Sequence, residues 1–400
     1  MSFASADRWR DVYIAAAARG ISMAGDFVAA TALALTLQTR GYGGFAVAAL
    51  LLASTLPMIA FGSLGGRLAD RFDSRLLLTT VGLVQAAVCV AMAYTGHPVA
   101  LVALVAALAT GLAITQPTFG ALVPEMVGRD SLPRAMAIAQ TATGLGAIAG
   151  PALAGLLVGA YGLRVPLLLD AFSFVAVAAA GLLISTRRGT VAARAVTAAA
   201  PPAPAWRLRG DRLLWTLIFA MVWVVGVISM VNVALIFFVR EDLGASPTAY
   251  GVIEACWMVG MMLGGWAVAR WAGADSRLAV GLVALLAGTS TLLLVSAFVP
   301  SAAWLVPLWL LGGVANGGEN TVASLLIARR VPGAARGRAI GGYVAMVNGA
   351  IVVGYAAAGP LVSLVAPWIL VAGAGAAGLV AILFAAVPVL RAVRAEPATA

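Results

Sequence analysis

Four acidic residues occur inside long apolar stretches of the chain: Asp26, Asp170, Glu254 and Glu319. A charged side chain in the core of a bilayer costs about 2.5–3.5 kcal/mol on insertion scales, so each of these acids needs a physical reason. Removal from water favours the neutral form of a carboxyl, which can then bind and release a proton as its surroundings change. Such an acid can also accept a cationic ligand when it loses its proton. The alternative for each acid is a structural role, with hydrogen bonds to neighbouring helices.

Arg19 is the one basic residue inside an apolar stretch. It precedes Asp26 by seven residues, so the two side chains share one helix face but lie roughly 10 Å apart along the axis, too far for a direct salt bridge. Glu319 lies in the polar stretch 316–320, which is too polar for a lipid-facing surface. For Asp170 we expect a helix-packing role, and for Glu254 a structural role ranks ahead of a place in a cavity. The predicted proton-coupling and substrate-cavity residues are Asp26, Glu319, Arg19, Glu254, Asn316 and Asn320.

These residues must be positioned by membrane helices. Of the 400 residues, 62% are hydrophobic and only 10% are charged, which is too little charge for the surface of a soluble domain. Apolar segments of the ~20 residues that cross a bilayer follow one another along the chain. We place them at 12–37, 45–66, 76–95, 99–122, 133–160, 165–186, 212–239, 247–269, 277–298, 301–328, 338–364 and 367–390. They lack the period-two alternation of a membrane β-barrel, so the predicted fold class is an all-α integral membrane protein of twelve transmembrane helices.

The basic residues predict the orientation of these helices. All 25 are arginines, and apart from Arg19 they fall in the connections, near the termini or at the ends of the apolar segments. One side of the membrane would carry only Arg40, Arg164 and Arg240, and the other side all the rest. By the positive-inside rule both termini are then cytoplasmic, and the first span is an uncleaved insertion signal. The net charge of +10 therefore indicates topology and not nucleic-acid binding. We expect a multi-pass protein of a bacterial inner membrane.

Two similar halves are visible in the sequence. Leu64-Gly65-Gly66 followed by Asp73-Ser74-Arg75 is repeated as Leu263-Gly264-Gly265 followed by Asp275-Ser276-Arg277. Parallel six-helix repeats are typical of one transporter architecture. The predicted domains are an N-terminal half at 1–187, a cytoplasmic linker rich in Ala, Pro and Arg at 188–211, and a C-terminal half at 212–400. The two halves would form pseudo-symmetric bundles.

The connection after the second span carries the first family signature. Gly66-Arg67-Leu68-Ala69-Asp70-Arg71 resembles the loop 2–3 motif of the major facilitator superfamily, and the match departs at Asp73 and Ser74. The resemblance implies that this loop locks the outward-facing state against span 11. The alternative is a charged loop that only sets topology. The residues assigned to this predicted lock are Gly66, Asp70, Arg71 and Arg75.

Span 5 carries a second signature. Its segment Gly146–Gly155 resembles the antiporter motif of the same superfamily, with Gly146, Gly150, Pro151 and Gly155 at the matching positions and Ala154 as a small replacement. Small residues four apart let two helices approach closely, and a proline bends its helix. Ordinary tight packing and antiport remain equal readings of this motif.

The first span resembles one particular branch of the superfamily. Arg19-x-x-Ser22-x-x-Gly25-Asp26 is similar to the multidrug and siderophore exporter branch, which contains enterobactin-exporter-like proteins and lactococcal multidrug proton antiporters. The resemblance implies that spans 1, 4, 7 and 10 line a central cavity, with Asp26 and Glu319 facing each other across it. Span 4 departs from many proton-coupled members because it has no arginine near Ala107.

We therefore predict a secondary active exporter, a proton-driven antiporter of amphiphilic drugs, siderophores or secreted metabolites, and not an enzyme. Its partners would be the lipid bilayer, a small-molecule substrate and protons, with no nucleic acid, no cofactor and no metal, and a monomer by default. An importer or symporter of the same fold and a non-transporting membrane sensor or scaffold remain alternatives. Glu319→Gln is predicted to abolish proton-coupled transport while insertion into the membrane stays normal.

Overall fold

The computed structural model of the chain describes residues 7–187, 210–270 and 273–395, and every regular element in these ranges is helical. The first six helices are α1 (Trp9–Thr39), α2 (Gly43–Arg71), α3 (Ser74–Tyr94), α4 (Pro98–Met126), α5 (Leu132–Tyr161) and α6 (Arg164–Leu183). The second six are α7 (Arg212–Phe237), α8 (Pro247–Arg270), α9 (Asp275–Ser296), α10 (Leu305–Arg330), α11 (Gly333–Leu364) and α12 (Pro367–Ala395). All twelve predicted helices are present, which confirms the predicted all-α fold class.

Several helix ends differ from their predicted positions, and three of them have an identifiable local feature. A π-helical turn, Phe238–Asp242, extends α7. A 3-10 turn, Ala302–Trp304, precedes α10, which therefore begins at Leu305 and not near residue 301. Helix α11 begins at Gly333, five residues before the predicted start, because Pro332 occupies the N-cap and its fixed φ suits the entry into a helix. The apolar pattern misses such ends, since polar residues also occupy the first turns of a helix.

Across the described residues, 11 helices are long and apolar enough to cross a membrane. Helix α10 does not reach the same apolar composition because its middle carries Asn316, Glu319 and Asn320 and its last turn carries Arg329 and Arg330. The helix that is least suited to lipid is therefore the one that holds a predicted proton site.

The helices group into two compact units. The N-terminal unit contains α1, α3 to α6 and the part of α2 from Ala49 onward, and the C-terminal unit contains α7 to α12 together with Gly43–Ala48. The predicted linker at 188–211 lies outside the described residues apart from Gly210 and Asp211. The exact domain boundaries stay a prediction.

The same neighbour pattern occurs in both units. In the N-terminal unit α1 packs against α5 and α6, and α3 packs against α4 and α6. In the C-terminal unit α7 packs against α11 and α12, and α9 packs against α10 and α12. Each of these four contacts in the N-terminal unit has a counterpart six helices later, which is the arrangement that the internal sequence repeats predict.

Glycines allow the closest helix contact in each unit. A Cβ at Gly65 on α2 would overlap the carbonyl oxygen of Ala113 on α4, and a Cβ at Gly264 on α8 would overlap the carbonyl oxygen of Val314 on α10. Close backbone approach of this kind takes the place of the hydrophobic driving force that is missing between helices in lipid. The repeated Leu-Gly-Gly element is thus a packing element in both units.

Candidate functional site

Helix α1 carries Arg19 and Asp26, the two charged groups at the centre of the candidate site. Arg19 is half-buried and has no hydrogen bond or ion pair to any described residue, and its nearest opposite charge is Asp26. The Oδ1 atom of Asp26 is buried and has no hydrogen-bond partner within the described part of the chain. The two groups therefore influence each other electrostatically without pairing, as their seven-residue spacing predicts.

A second carboxylate lies beside Asp26. Asp170 on α6 is fully buried, and it accepts hydrogen bonds from Cys89 Sγ at 3.2 Å and Ser173 Oγ at 3.1 Å. It packs against α1 at Gly25, where a Cβ would lie 2.5 Å from Asp170 Oδ1. Asp26 and Asp170 are close enough to interact electrostatically. The site therefore contains one bonded and one unbonded carboxylate on neighbouring helices, and Arg19 two turns away.

The residues of the antiporter-like motif hold α1 in this position. A Cβ at Gly146 on α5 would overlap the carbonyl oxygen of Gly20, and a Cβ at Gly150 would meet the side chain of Phe27. Both contacts lie along residues 20–27 of α1, next to Arg19 and Asp26, and Pro151 lies in the same stretch of α5. The motif thus forms the tight contact between α1 and α5, and its role in antiport stays a prediction.

A cavity of about 330 Å³ opens between α1, α4 and α5 of the N-terminal unit. The residues that line it are Ala15, Ala16, Arg19, Met23, Gln116, Phe119, Gly120, Val123, Met136, Ala139, Gln140 and Thr143. Arg19 is its one charged residue, and two glutamines add uncharged polar groups. Apart from Thr143, the rest of the wall is apolar.

Glu319 in the C-terminal unit has a different environment. It is fully buried, and its two carboxylate oxygens accept hydrogen bonds from Thr289 Oγ1 on α9 at 2.6 Å and from Asn316 Nδ2 at 3.1 Å. Asn320 is exposed, and its Nδ2 donates to the carbonyl oxygen of Asn316 at 2.9 Å. This is the geometry of an acid that joins α9 to α10. A coupling role for Glu319 stays a prediction.

Glu254 on α8 belongs to a further polar group of the C-terminal unit. It is half-buried, and no described residue forms a hydrogen bond or ion pair with it. The phenols of Tyr250 on α8 and Tyr355 on α11 lie within electrostatic range of its carboxylate, and the side chain of Asn232 on α7 lies close to Tyr355. Two helices therefore contribute phenols near Glu254, and Asn232 of a third lies next to one of them, which gives Glu254 the surroundings of a cavity residue as much as of a structural one.

The residues of the predicted lock lie at the end of α2. Asp70 and Arg71 are exposed, and Asp73 caps α3 by accepting a hydrogen bond from the backbone N–H of Arg75 at 2.7 Å. A Cβ at Gly66 would meet no atom within 4 Å, so Gly66 is not required by packing against another helix. The departure of the sequence from the family motif at Asp73 thus provides a helix cap, and the lock itself stays a prediction.

Sequence reasoning did not select several polar residues that the structure places at these sites. Gln116 and Gln140 line the cavity beside Arg19, and Tyr355 lies near Glu254, with Asn232 next to Tyr355. A polar amide within an apolar span is itself a signal, and it would have identified Gln116, Gln140 and Asn232. Tyr355 gives no such signal, because a tyrosine in a membrane helix is common.

Comparison with known proteins identifies the class of the chain. The model of the Major Facilitator Superfamily matches residues 15–296 and 217–400. The chain belongs to this superfamily and is a multi-pass membrane transporter of that fold. No curated protein matches the chain significantly.

Solved structures share this fold at low sequence identity. A bacterial homologue of the iron transporter ferroportin, described in an inward-facing state, has a TM-score of 0.73 and 15% identity, with 98% of this chain and all of that chain covered. The nucleoside transporter NupG has a TM-score of 0.73 and 13% identity over 94% of this chain and 99% of that chain. A bacterial homologue of the human lysosomal transporter Spinster has a TM-score of 0.68 and 15% identity over 96% and 97%. At these identities the likeness shows the fold alone, and the exporter branch is not confirmed.

Proposed function

We propose that the chain is a proton-coupled exporter of amphiphilic small molecules such as drugs, a siderophore or a secreted metabolite. Export would follow alternating access, with the N-terminal and C-terminal units moving around a shared substrate path. Membership of the superfamily supports transport, and the similarity of the Arg19–Asp26 segment to the multidrug and siderophore exporters supports the direction. We place the chain in a bacterial inner membrane with both termini in the cytoplasm, on the evidence of its arginine distribution.

The observation that carries the coupling proposal is the unpartnered carboxylate oxygen of Asp26. A buried polar atom without a partner is costly, so its presence in a well-packed helix calls for a role. When Asp26 is ionised, Arg19 offsets its charge from two turns away, and Asp170 opposes it. When Asp26 is neutral, Arg19 is left as the uncompensated charge. Proton binding at Asp26 thus changes the net charge of the site, which is what coupling requires.

Glu319 and Glu254 complete the proposal in the C-terminal unit. Glu319 would be a proton site that is enclosed by Thr289 and Asn316, and Glu254 would border the substrate path with Asn320. In the N-terminal unit, the residues Gly66, Asp70, Arg71 and Arg75 would stabilise one conformational state. Each of these roles is a proposal that the resemblance supports.

Transport by purified protein in liposomes tests the proposal. Two fluorescent amphiphiles serve as probes: ethidium, which is cationic, and dansyl-phenylalanine, which is anionic. We expect that an imposed proton gradient drives at least one probe in the direction opposite to proton flow, and that Asp26→Asn reduces this movement to the leak rate. Asp130→Asn, a change in the exposed loop between α4 and α5, is the matched control and should transport normally.

Three outcomes would contradict the proposal in different ways. Probe movement in the same direction as protons indicates a symporter. Gradient-driven transport that is unchanged in Asp26→Asn removes Asp26 from coupling. The protein is a sensor or scaffold if two results are obtained together. It moves neither probe nor protons when it is reconstituted and correctly folded, and its cellular phenotype survives loss of both Asp26 and Glu319.

A further inference from the structure

The cavity beside Arg19 has one positively charged residue and no negatively charged one in its wall, which indicates the class of amphiphile that it binds. We propose that this cavity binds the anionic end of the substrate, and that Arg19 is the residue that recognises the anion. The inference rests on the proposed function, because it names the class of substrate that the transporter carries: an amphiphile with a carboxylate or a similar anion.

Arg19 itself favours an anion, because its charge has no partner among the described residues. A guanidinium stays charged in a protein and presents five N–H donors. The Arg19 guanidinium is half-buried in a membrane helix, yet it makes no hydrogen bond or ion pair with the described residues. A charge that is partly removed from water without a partner is unfavourable, and an anion in the cavity would compensate it. Asp26 does not fill this role, since it is two helical turns away.

The polar part of the cavity wall also favours an anion. No aspartate or glutamate lines it, so no charged group of the wall attracts a cation. Gln116 and Gln140 offer amide N–H groups on the same wall, and these can donate to an anion alongside Arg19. The hydroxyl of Thr143 is already used, because it donates to the carbonyl oxygen of Ala139 at 2.9 Å. The polar part of the wall therefore supplies donors and one net positive charge.

The apolar part of the cavity wall fits the apolar body of an amphiphile. Met23, Met136 and Phe119 form a surface of flexible thioethers and one aromatic ring beside the polar groups. Methionine side chains adapt to ligands of irregular shape, and they contact aromatic rings favourably. The volume of about 330 Å³ lies within the range of small-molecule sites. The cavity therefore fits an anion that is directly attached to an apolar or aromatic body.

Binding of three matched probes to the purified full-length protein in lipid nanodiscs tests this inference. The probes are 4-phenylbutyrate, 4-phenylbutanol and 4-phenylbutylamine, which share one body and differ in charge. Calorimetry should show that the carboxylate binds about tenfold to a hundredfold more tightly than the alcohol and the amine, as a charge-assisted hydrogen bond to arginine predicts. In Arg19→Gln the three probes should bind alike, and Arg19→Lys should keep part of the preference because it keeps the charge.

The outcomes separate this inference from the proposed function. A wild-type preference for the amine, or a carboxylate preference that Arg19→Gln leaves intact in a protein that elutes as a single species, overturns the inference. If ethidium is nevertheless exported against a proton gradient, the proposed function stands without it. If no probe is transported but the carboxylate preference depends on Arg19, the anion site stands and the exporter proposal fails.

Discussion

Asp26 in the N-terminal unit and Glu319 in the C-terminal unit are both acids within membrane helices, but the two units hold them in opposite ways. Glu319 is fully buried, and each of its carboxylate oxygens accepts a hydrogen bond. Asp26 has a buried oxygen with no partner among the described residues, and the bonded acid beside it is Asp170. In the C-terminal unit Glu319 is part of the packing, and in the N-terminal unit Asp26 is not.

This difference separates two physical roles. An acid with satisfied oxygens stabilises the helix contact that supplies its donors, and changing it disturbs those donors as well. An acid with an unpartnered oxygen contributes little to packing, so its protonation can change without breaking contacts. We therefore expect changes at Glu319 to affect stability first and changes at Asp26 to affect coupling first.

The largest effect expected on stability is that of Glu319→Ala. This change leaves the hydroxyl of Thr289 and the amide of Asn316 without their acceptor, and it should lower the free energy of unfolding by about 2–4 kcal/mol. Glu319→Gln keeps a carbonyl acceptor at the same place and should cost less than half as much. Asp26→Ala, which removes an unpartnered group, should be neutral or slightly stabilising. Thermal unfolding in a mild detergent measures all three, and equal losses at Asp26 and Glu319 would remove the distinction between the units.

Because both units contain the same close glycine contact, we expect an added Cβ at that contact to destabilise the two units equally. Gly65→Ala and Gly264→Ala each place a Cβ against a carbonyl oxygen of the neighbouring helix, and overpacking of this kind costs about 1–3 kcal/mol. Gly62→Ala and Gly288→Ala are the matched controls in the two units, because a Cβ at either position meets no atom within 4 Å. The same unfolding assay compares the four variants. A loss in only one unit would show that the repeat is not equivalent in packing.

The sequence predicted the twelve helices because the physics that sets them is local. A bilayer requires long apolar segments whose backbone hydrogen bonds are formed within the segment, and the composition of each segment shows whether it can meet this requirement. The ends of α10 and α11 were less well predicted, since a 3-10 turn and the cap at Pro332 depend on single residues. The equivalence of Gly65 and Gly264 followed from the repeat and is present as a shared packing contact.

The sites were harder to predict because their environment is set by other helices. The sequence identifies Asp26 and Glu319 as costly acids, and it cannot show that Thr289, 30 residues from Glu319, supplies a hydrogen bond to one of them. It likewise identifies Arg19 without the cavity, because Gln116 and Gln140 come from α4 and α5. Partners that are distant in sequence decide whether a buried charge is structural or available to a ligand.

The smallest predicted effect concerns the segments that fasten the first helix of each unit. Asp7, just before α1, accepts hydrogen bonds from the backbone N–H of Gly128 at 2.8 Å and from Ser131 Oγ at 2.5 Å, both in the loop between α4 and α5. Asp211, the N-cap of α7, instead forms an ion pair with Arg330 Nε at 2.8 Å, at the end of α10. The equivalent fastening is therefore made by neutral donors in one unit and by an ion pair in the other.

The two fastenings should respond differently to acid. The hydrogen bond from Gly128, followed by that from Ser131, holds the pKa of Asp7 below its ordinary value of 3.8. A depressed pKa in the folded state means that the contact stabilises the fold above the ordinary value and is lost as the pH falls through the folded value. We therefore expect the Gly128 amide to be better protected against hydrogen exchange in the wild type than in Asp7→Asn above about pH 4, and the difference to disappear below that pH, because protonated Asp7 resembles asparagine. Added salt should leave this contact nearly unchanged and weaken that of Asp211, because screening acts on the ion pair. Protection at Gly128 that is the same in both proteins above and below that pH would show that Asp7 does not fasten α1.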